Sequence, residues 1–203
     1  GCRSGIPPIR TEATMSEHAQ HRTPGDGASS DRLFGFGALL GLAASLLAHV
    51  AAICGVDVAA QLPLVWGLHV GTFLVLLPFV LSARKILGPK PGLARLAEIF
   101  PVWLFAVAVL LFIYAFINFQ LTMSVLADGS PGERAGKLVL EDHGRLVREI
   151  TESEYHRYKA YELRSFSGHW LLLYFVPFAY FLFRNGPRPA GSGSDSSDDG
   201  QRA

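Results

Sequence analysis

Charge is scarce in this chain and almost cancels: 17% of residues are charged and the formal net charge is +1. That argues against a nucleic-acid partner, because neutralising phosphates needs a basic patch. Cysteine is scarcer, with only Cys2 and Cys54. They flank the first apolar run, and a helix between them would hold them apart, so no disulfide is expected. Cys54 reads as a small polarizable filler. The histidines carry no His-x-x-His or Glu-x-x-His repeat. Ser167 and His169 have no third orienting group and no nucleophile elbow, so no enzyme chemistry is assigned. There is also no intramembrane acid–base chain of the kind proton-coupled carriers use. A myristoylation signal is missing, since Gly5 stands where Ser or Thr is needed. Met15 is the expected translation start, which would make residues 1–14 upstream translation.

What is abundant is apolar surface, at half of all residues. It falls into four runs, 33–55, 63–83, 99–123 and 166–184, each near the ~20 residues that a membrane span needs. The expected fold is an all-α membrane protein, a four-transmembrane-helix bundle with a small extracytoplasmic β-hairpin loop. The first run is too long for a signal peptide and lacks the basic segment that would precede one. Within it Gly37, Gly41, Ala44, Ala48, Ala51 and Gly55 recur in steps of four and three. They share one helix face, where close packing on small residues substitutes for the missing hydrophobic drive between helices. Pro63 suits the first turn of the second span, and Pro78 and Pro177 are expected to bend theirs.

Residues 1–32 and 185–203 are rich in Gly, Ser and charge and read as disordered tails. The outer loop 124–165 has two parts. Its strand-like runs flank Asp142-His143-Gly144, and Gly144 can supply a positive φ, so 137–150 is predicted to be a hairpin. Thr151-x-x-Glu154 matches a capping box that starts a helix from 152. Orientation follows from the basic residues of short loops. Arg84, Lys85, Lys90 and Arg95 crowd the 84–98 loop, Arg32, Arg184 and Arg188 flank the same side, and the 56–62 link has none. Both termini are therefore expected in the cytoplasm and the hairpin loop outside.

Three patches carry a resemblance: Trp66-x-x-His69 with Pro78 downstream; Asp142-His143-Gly144 followed by Arg148-Glu-Ile-Thr-x-x-Glu-Tyr155; and Arg164-x-Phe-Ser-Gly-His-Trp170. Over roughly 60–184 the chain resembles small uncharacterised bacterial inner-membrane proteins with a Phe-Ser-Gly-His-Trp junction. The resemblance implies a bacterial source and brings no activity with it.

Depth counting at ~1.5 Å per residue puts one polar side chain near the outer end of each span. These are His49, His69, Asn118 (on a face with Tyr114 and Thr122) and His169, with Asp57, His143 and His156 outside. Ionisable residues in a span mark candidate functional sites because placing them there is costly. Three readings stand open. The residues can be hydrogen-bonding elements of a structural or accessory protein. His49, His69 and His169 can be ligands, with facing His49 and His69 clamping a haem or holding a transition metal. Or the helices can belong to a small transporter or sensor subunit, which would require oligomerisation. At the junction His169 is expected to point inward, near His49, His69 or Asn118, while Trp170 anchors the adjoining face at the interface. The expected partners are the lipid bilayer and a second copy or membrane-complex subunit.

Overall fold

The computed structural model describes residues 26–88, 92 and 100–184, with only the backbone given for 26–28. Residues 1–25 and 185–203 of the expected tails lie outside the described residues, with Cys2, Met15, His18, His21 and Arg188. So do Lys90, Arg95 and Glu98 of the basic loop. The elements run α1 (Asp26–Ile53), α2 (Val58–Gln61), a 3-10 turn (Pro63–Trp66), α3 (Gly67–Leu87) and α4 (Val102–Leu126). They continue with β1 (Ser130–Arg134), β2 (Lys137–Asp142), β3 (Arg145–Glu149) and α5 (Glu152–Phe183). Four stretches have the length and apolarity to cross a bilayer: Ser29–Ile53, Pro63–Leu87, Val102–Leu126 and Glu152–Phe183. The chain is thus a multi-pass integral membrane protein.

The bundle is organised around α5. More than half of its most apolar stretch is buried (56%), against 33% for α1 and 17% for each of α3 and α4. α5 packs on α1, α4 and α3, whereas α3 and α4 scarcely meet. One core joins Ala38, Ala48 and Ala52 of α1 to Val75 of α3 and Leu163, Trp170 and Tyr174 of α5. A second joins Leu104 of α4 to Phe175 and Ala179 of α5. Pro78 and Pro177 lie inside α3 and α5.

Two helix boundaries correct the sequence reading. Residues 26–32, expected in the disordered tail, already belong to α1. No proline interrupts them, and Asp31 is held by Arg184 from the far end of α5 at 2.7 Å. The other end of α1 closes at Gly55, which has φ +79°. Its N–H reaches Ala52 O and that of Val56 reaches Ala51 O, both at 3.0 Å. This pair of bonds is a Schellman cap, which needs a left-handed residue after the helix. Gly55 is therefore a helix stop and not part of a packing stripe. Cys54 beside it is exposed, not a core filler.

The segment between α4 and α5 holds three antiparallel strands in the order β1-β2-β3, one more than the predicted hairpin. Pro131 and Gly132 disguised β1. Both are tolerated because β1 is an edge strand. The two connections have the same construction. Ala135 (φ 51°) and Gly136 (φ 76°) join β1 to β2, and His143 (φ 49°) and Gly144 (φ 80°) join β2 to β3. Paired left-handed residues match the right-handed twist of the strands. Leu140 of β2 and Ile150 dock on Tyr158 of α5, which attaches the sheet to the helix.

α5 opens with the predicted capping box. The Thr151 hydroxyl accepts from the Glu154 N–H at 3.3 Å, and Glu154 Oε2 accepts from the Thr151 N–H at 2.9 Å. Arg148 donates to Glu154 Oε1 at 2.9 Å, and that bond raises the guanidinium pKa above its ordinary value. At 32 residues α5 is about 48 Å long, well beyond a ~30 Å hydrocarbon core. Its first turns carry Glu152, Glu154, Lys159 and Glu162 beneath the sheet.

Candidate functional site

The half of α5 nearest the sheet presents polar groups at short intervals, and together they reach α4, α1 and α3. Arg164 comes first. Its Nε donates to Asn118 Oδ1 at 2.8 Å, and Asn118 Nδ2 donates back to the Arg164 carbonyl at 3.0 Å. Asn118 is buried in α4, so this reciprocal pair satisfies both ends of its amide. Thr122, one turn on, donates to the Asn118 carbonyl at 2.9 Å.

Ser167 follows and engages α1. His49 Nδ1 lies 2.8 Å from Ser167 Oγ, and His49 Nε2 lies 2.5 Å from the Tyr114 hydroxyl of α4. A neutral imidazole has one donor and one acceptor, so the two contacts have two consistent polarities. In one, Tyr114 donates to Nε2, Nδ1–H donates to Ser167, and Ser167 donates onward to the Arg164 carbonyl at 3.4 Å. In the other, every proton on this chain is reversed up to Ser167. Either way both ring nitrogens are occupied. Gly168 makes the approach feasible, because a Cβ there would stand 2.7 Å from Asn118 Nδ2 and 3.5 Å from His49 Cε1.

Trp170 and Tyr174 then face α3. Trp170 is 1% exposed and donates its indole N–H to His69 Nδ1 at 3.1 Å. Tyr174 donates to the Leu68 carbonyl at 2.8 Å. Its ring lies against Gly41 of α1 and its hydroxyl against Gly71 of α3, both positions where a Cβ would collide with it. At the opposite end of the bundle Tyr180 contacts Ser82 at 2.9 Å and accepts from Arg184 at 2.8 Å.

The expected residues are thus only partly assembled. His49, Tyr114 and Asn118 converge on α5. His69 is exposed on α3, and among the described residues its ring hydrogen-bonds to Trp170 alone. His169 is half-buried, not inward. Its Nδ1–H donates to the Ser165 carbonyl of its own helix at 2.9 Å, and its ring packs on Phe119. Trp170, expected at the interface, takes the inward place. Asp57 caps α2 and meets His156 Nδ1 at 2.9 Å. His143 is at the exposed β2–β3 turn beside Asp142. On the expected stripe Gly41 and Ala48 are buried, Ala44 and Ala51 half-buried, and Gly37 exposed. The true contact line runs through Gly35, Ala38, Gly41, Ser45, Ala48 and Ala52.

These donors do not fit a haem or metal. A ligand nitrogen needs a free lone pair. Both nitrogens of His49 are engaged, and the lone pair on His69 Nδ1 accepts the indole N–H, which leaves the proton on Nε2. Of the three expected ligands, His169 alone keeps an uncommitted lone pair, on Nε2, among the described residues. Among the described residues no three His, Cys, Asp or Glu side chains are grouped to hold a metal ion.

Sequence reading missed Arg164 as the partner of Asn118, and Trp170 as a hydrogen-bond donor. The available signal was Gly168 between them, a residue that lets helices approach. Ser45 was also missed. It is wholly buried, and its hydroxyl has no hydrogen-bond partner among the described residues.

Set against family models, curated proteins and solved structures, the chain matches none. Fold and site together define a four-helix integral membrane protein with a small antiparallel sheet on the amino-terminal end of its central helix.

Proposed function

We infer that the chain is a structural or accessory protein of a bacterial inner membrane, in which α5 carries the three-stranded sheet outside while both termini lie in the cytoplasm. The observation that carries this reading is the consumption of the polar groups by one another. His49, Tyr114, Ser167, Asn118 and Arg164 close a network between α1, α4 and α5. Groups arranged this way hold helices in register, since an unpaired polar group in hydrocarbon is costly.

Support for the orientation comes from Arg84 and Lys85 in the last turn of α3 and from the basic loop that follows in the sequence, the bias that keeps a segment inside. The Phe166–Trp170 junction supports the bacterial assignment by resemblance. The largely exposed flanks of α3 and α4 leave room for lipid or for a neighbouring subunit. A haem- or metal-bound redox protein would require lone pairs that Ser167, Tyr114 and Trp170 already engage.

Two measurements test the reading. Reporter fusions at Gly132 and Ser192 should report outside and inside respectively. Protein purified from membranes should show no Soret band and no stoichiometric transition metal. A Soret band that is lost in His49→Phe would overturn the structural assignment.

A further inference from the structure

Because α3 and α4 scarcely meet, an open seam runs between them with α5 as its floor. At the end where Asp31 and Arg184 pair, this seam widens into a cavity of about 320 Å³, within the range of small-ligand sites. Phe79 and Leu87 of α3, Phe105 and Ala108 of α4, and Val176 and Tyr180 of α5 line it. The walls are apolar almost throughout. From Phe79 to Leu87 the cavity covers about 12 Å of helix, the depth of a single leaflet.

The rim has a different character. Tyr180 turns its hydroxyl away from the apolar walls to Ser82 and to the Arg184 guanidinium. Arg84 and Lys85 are exposed in the last turn of α3; Arg84, three residues before Leu87, lies on the neighbouring face of the helix, and Lys85 lies on the far face at the same level. Among the described residues neither has an acidic partner, and Asp31 is the only acid at this rim, already bound to Arg184. An apolar slot one leaflet deep beneath a cationic edge matches one chemistry, an acyl chain joined to an anionic headgroup. Basic pockets between membrane helices bind such headgroups.

We propose that this seam is a binding site for an anionic phospholipid, with one acyl chain between α3 and α4 against α5 and its phosphate at Arg84, in the positive field to which Lys85 adds. The lipid bridges two helices that have little contact of their own. It therefore acts as a packing element of the bundle rather than as passive solvent.

The test is native mass spectrometry of the full chain released from nanodiscs that contain equal phosphatidylglycerol and phosphatidylcholine with identical acyl chains. The expected result is one retained phosphatidylglycerol per protein. Arg84→Gln with Lys85→Gln lowers its preference over phosphatidylcholine by about thirtyfold, from roughly 1 kcal/mol for each basic residue. Ala108→Trp fills the slot and abolishes retention of both lipids. Ala108→Leu gives a weaker form of the same loss and serves if the larger residue prevents folding. Equal retention of the two lipids by the unaltered protein overturns the proposal. So does undiminished phosphatidylglycerol retention in a folded Ala108 variant, or a second copy of the chain cross-linked across the seam in place of lipid.

Discussion

The indole N–H of Trp170 donates to Nδ1 of His69 at 3.1 Å, across the contact between α5 and α3. It fixes which side of α5 faces the bundle. Residues 169 and 170 point ~100° apart on a helix, so with Trp170 inward, His169 is left at the margin on Phe119.

Trp170→Phe keeps an aromatic ring and removes the donor. It should lower unfolding free energy in bicelles by about 0.6 kcal/mol and at most ~1.7, the range for hydrogen bonds between membrane helices. His169→Leu should do less, because its bond is to the Ser165 carbonyl within the same helix. Steric-trap unfolding of the two variants side by side checks the order.

Gly41 and Gly37 offer a second contrast on one helix. A Cβ at 41 collides with the Tyr174 ring, while one at 37 meets nothing within 4 Å. Gly41→Ala should therefore cost about 1–3 kcal/mol by overpacking, and Gly37→Ala should be neutral or slightly stabilising. Thermal melts in detergent distinguish them. Equal melting temperatures would mean that Tyr174 does not cross at Gly41.

Thr151→Ala removes one half of the capping box at the start of α5. A lost helix cap costs about 1 kcal/mol, so amide exchange over Glu152–Tyr155 should accelerate about fivefold. Exchange within Trp170–Tyr174, deep in the bundle, should stay unchanged. Hydrogen exchange with peptide-level readout measures both.

Local chemistry was legible where it is self-contained. Long apolar runs disclosed the four spans, Thr151 and Glu154 the helix start, and Gly144 the β2–β3 turn. Gly41 and Ala48, small residues in a periodic run, are buried on α1. What escaped depended on distant partners. The start of α1 at Asp26 is tied to Arg184, 153 residues from Asp31. The inward choice of Trp170 over His169 depends on where His69 stands. Gly55 fitted the small-residue rhythm of the helix, but the chain needed it as a stop. β1 carries Pro131 and Gly132, which signal a turn unless the strand is known to be an edge. Its turn places Ala135 at φ 51°, a conformation that alanine does not advertise.

If the buried polar groups hold α1 and α4 against α5, the His49–Ser167 pair must contribute to that hold. A double-mutant cycle of His49→Phe and Ser167→Ala, read as unfolding free energy in bicelles, isolates their interaction. A favourable coupling of about 0.6–1.7 kcal/mol is expected, with the fold retained in both single variants. A coupling indistinguishable from zero would contradict such a hold, because the histidine would then not be bonded to α5 in the membrane.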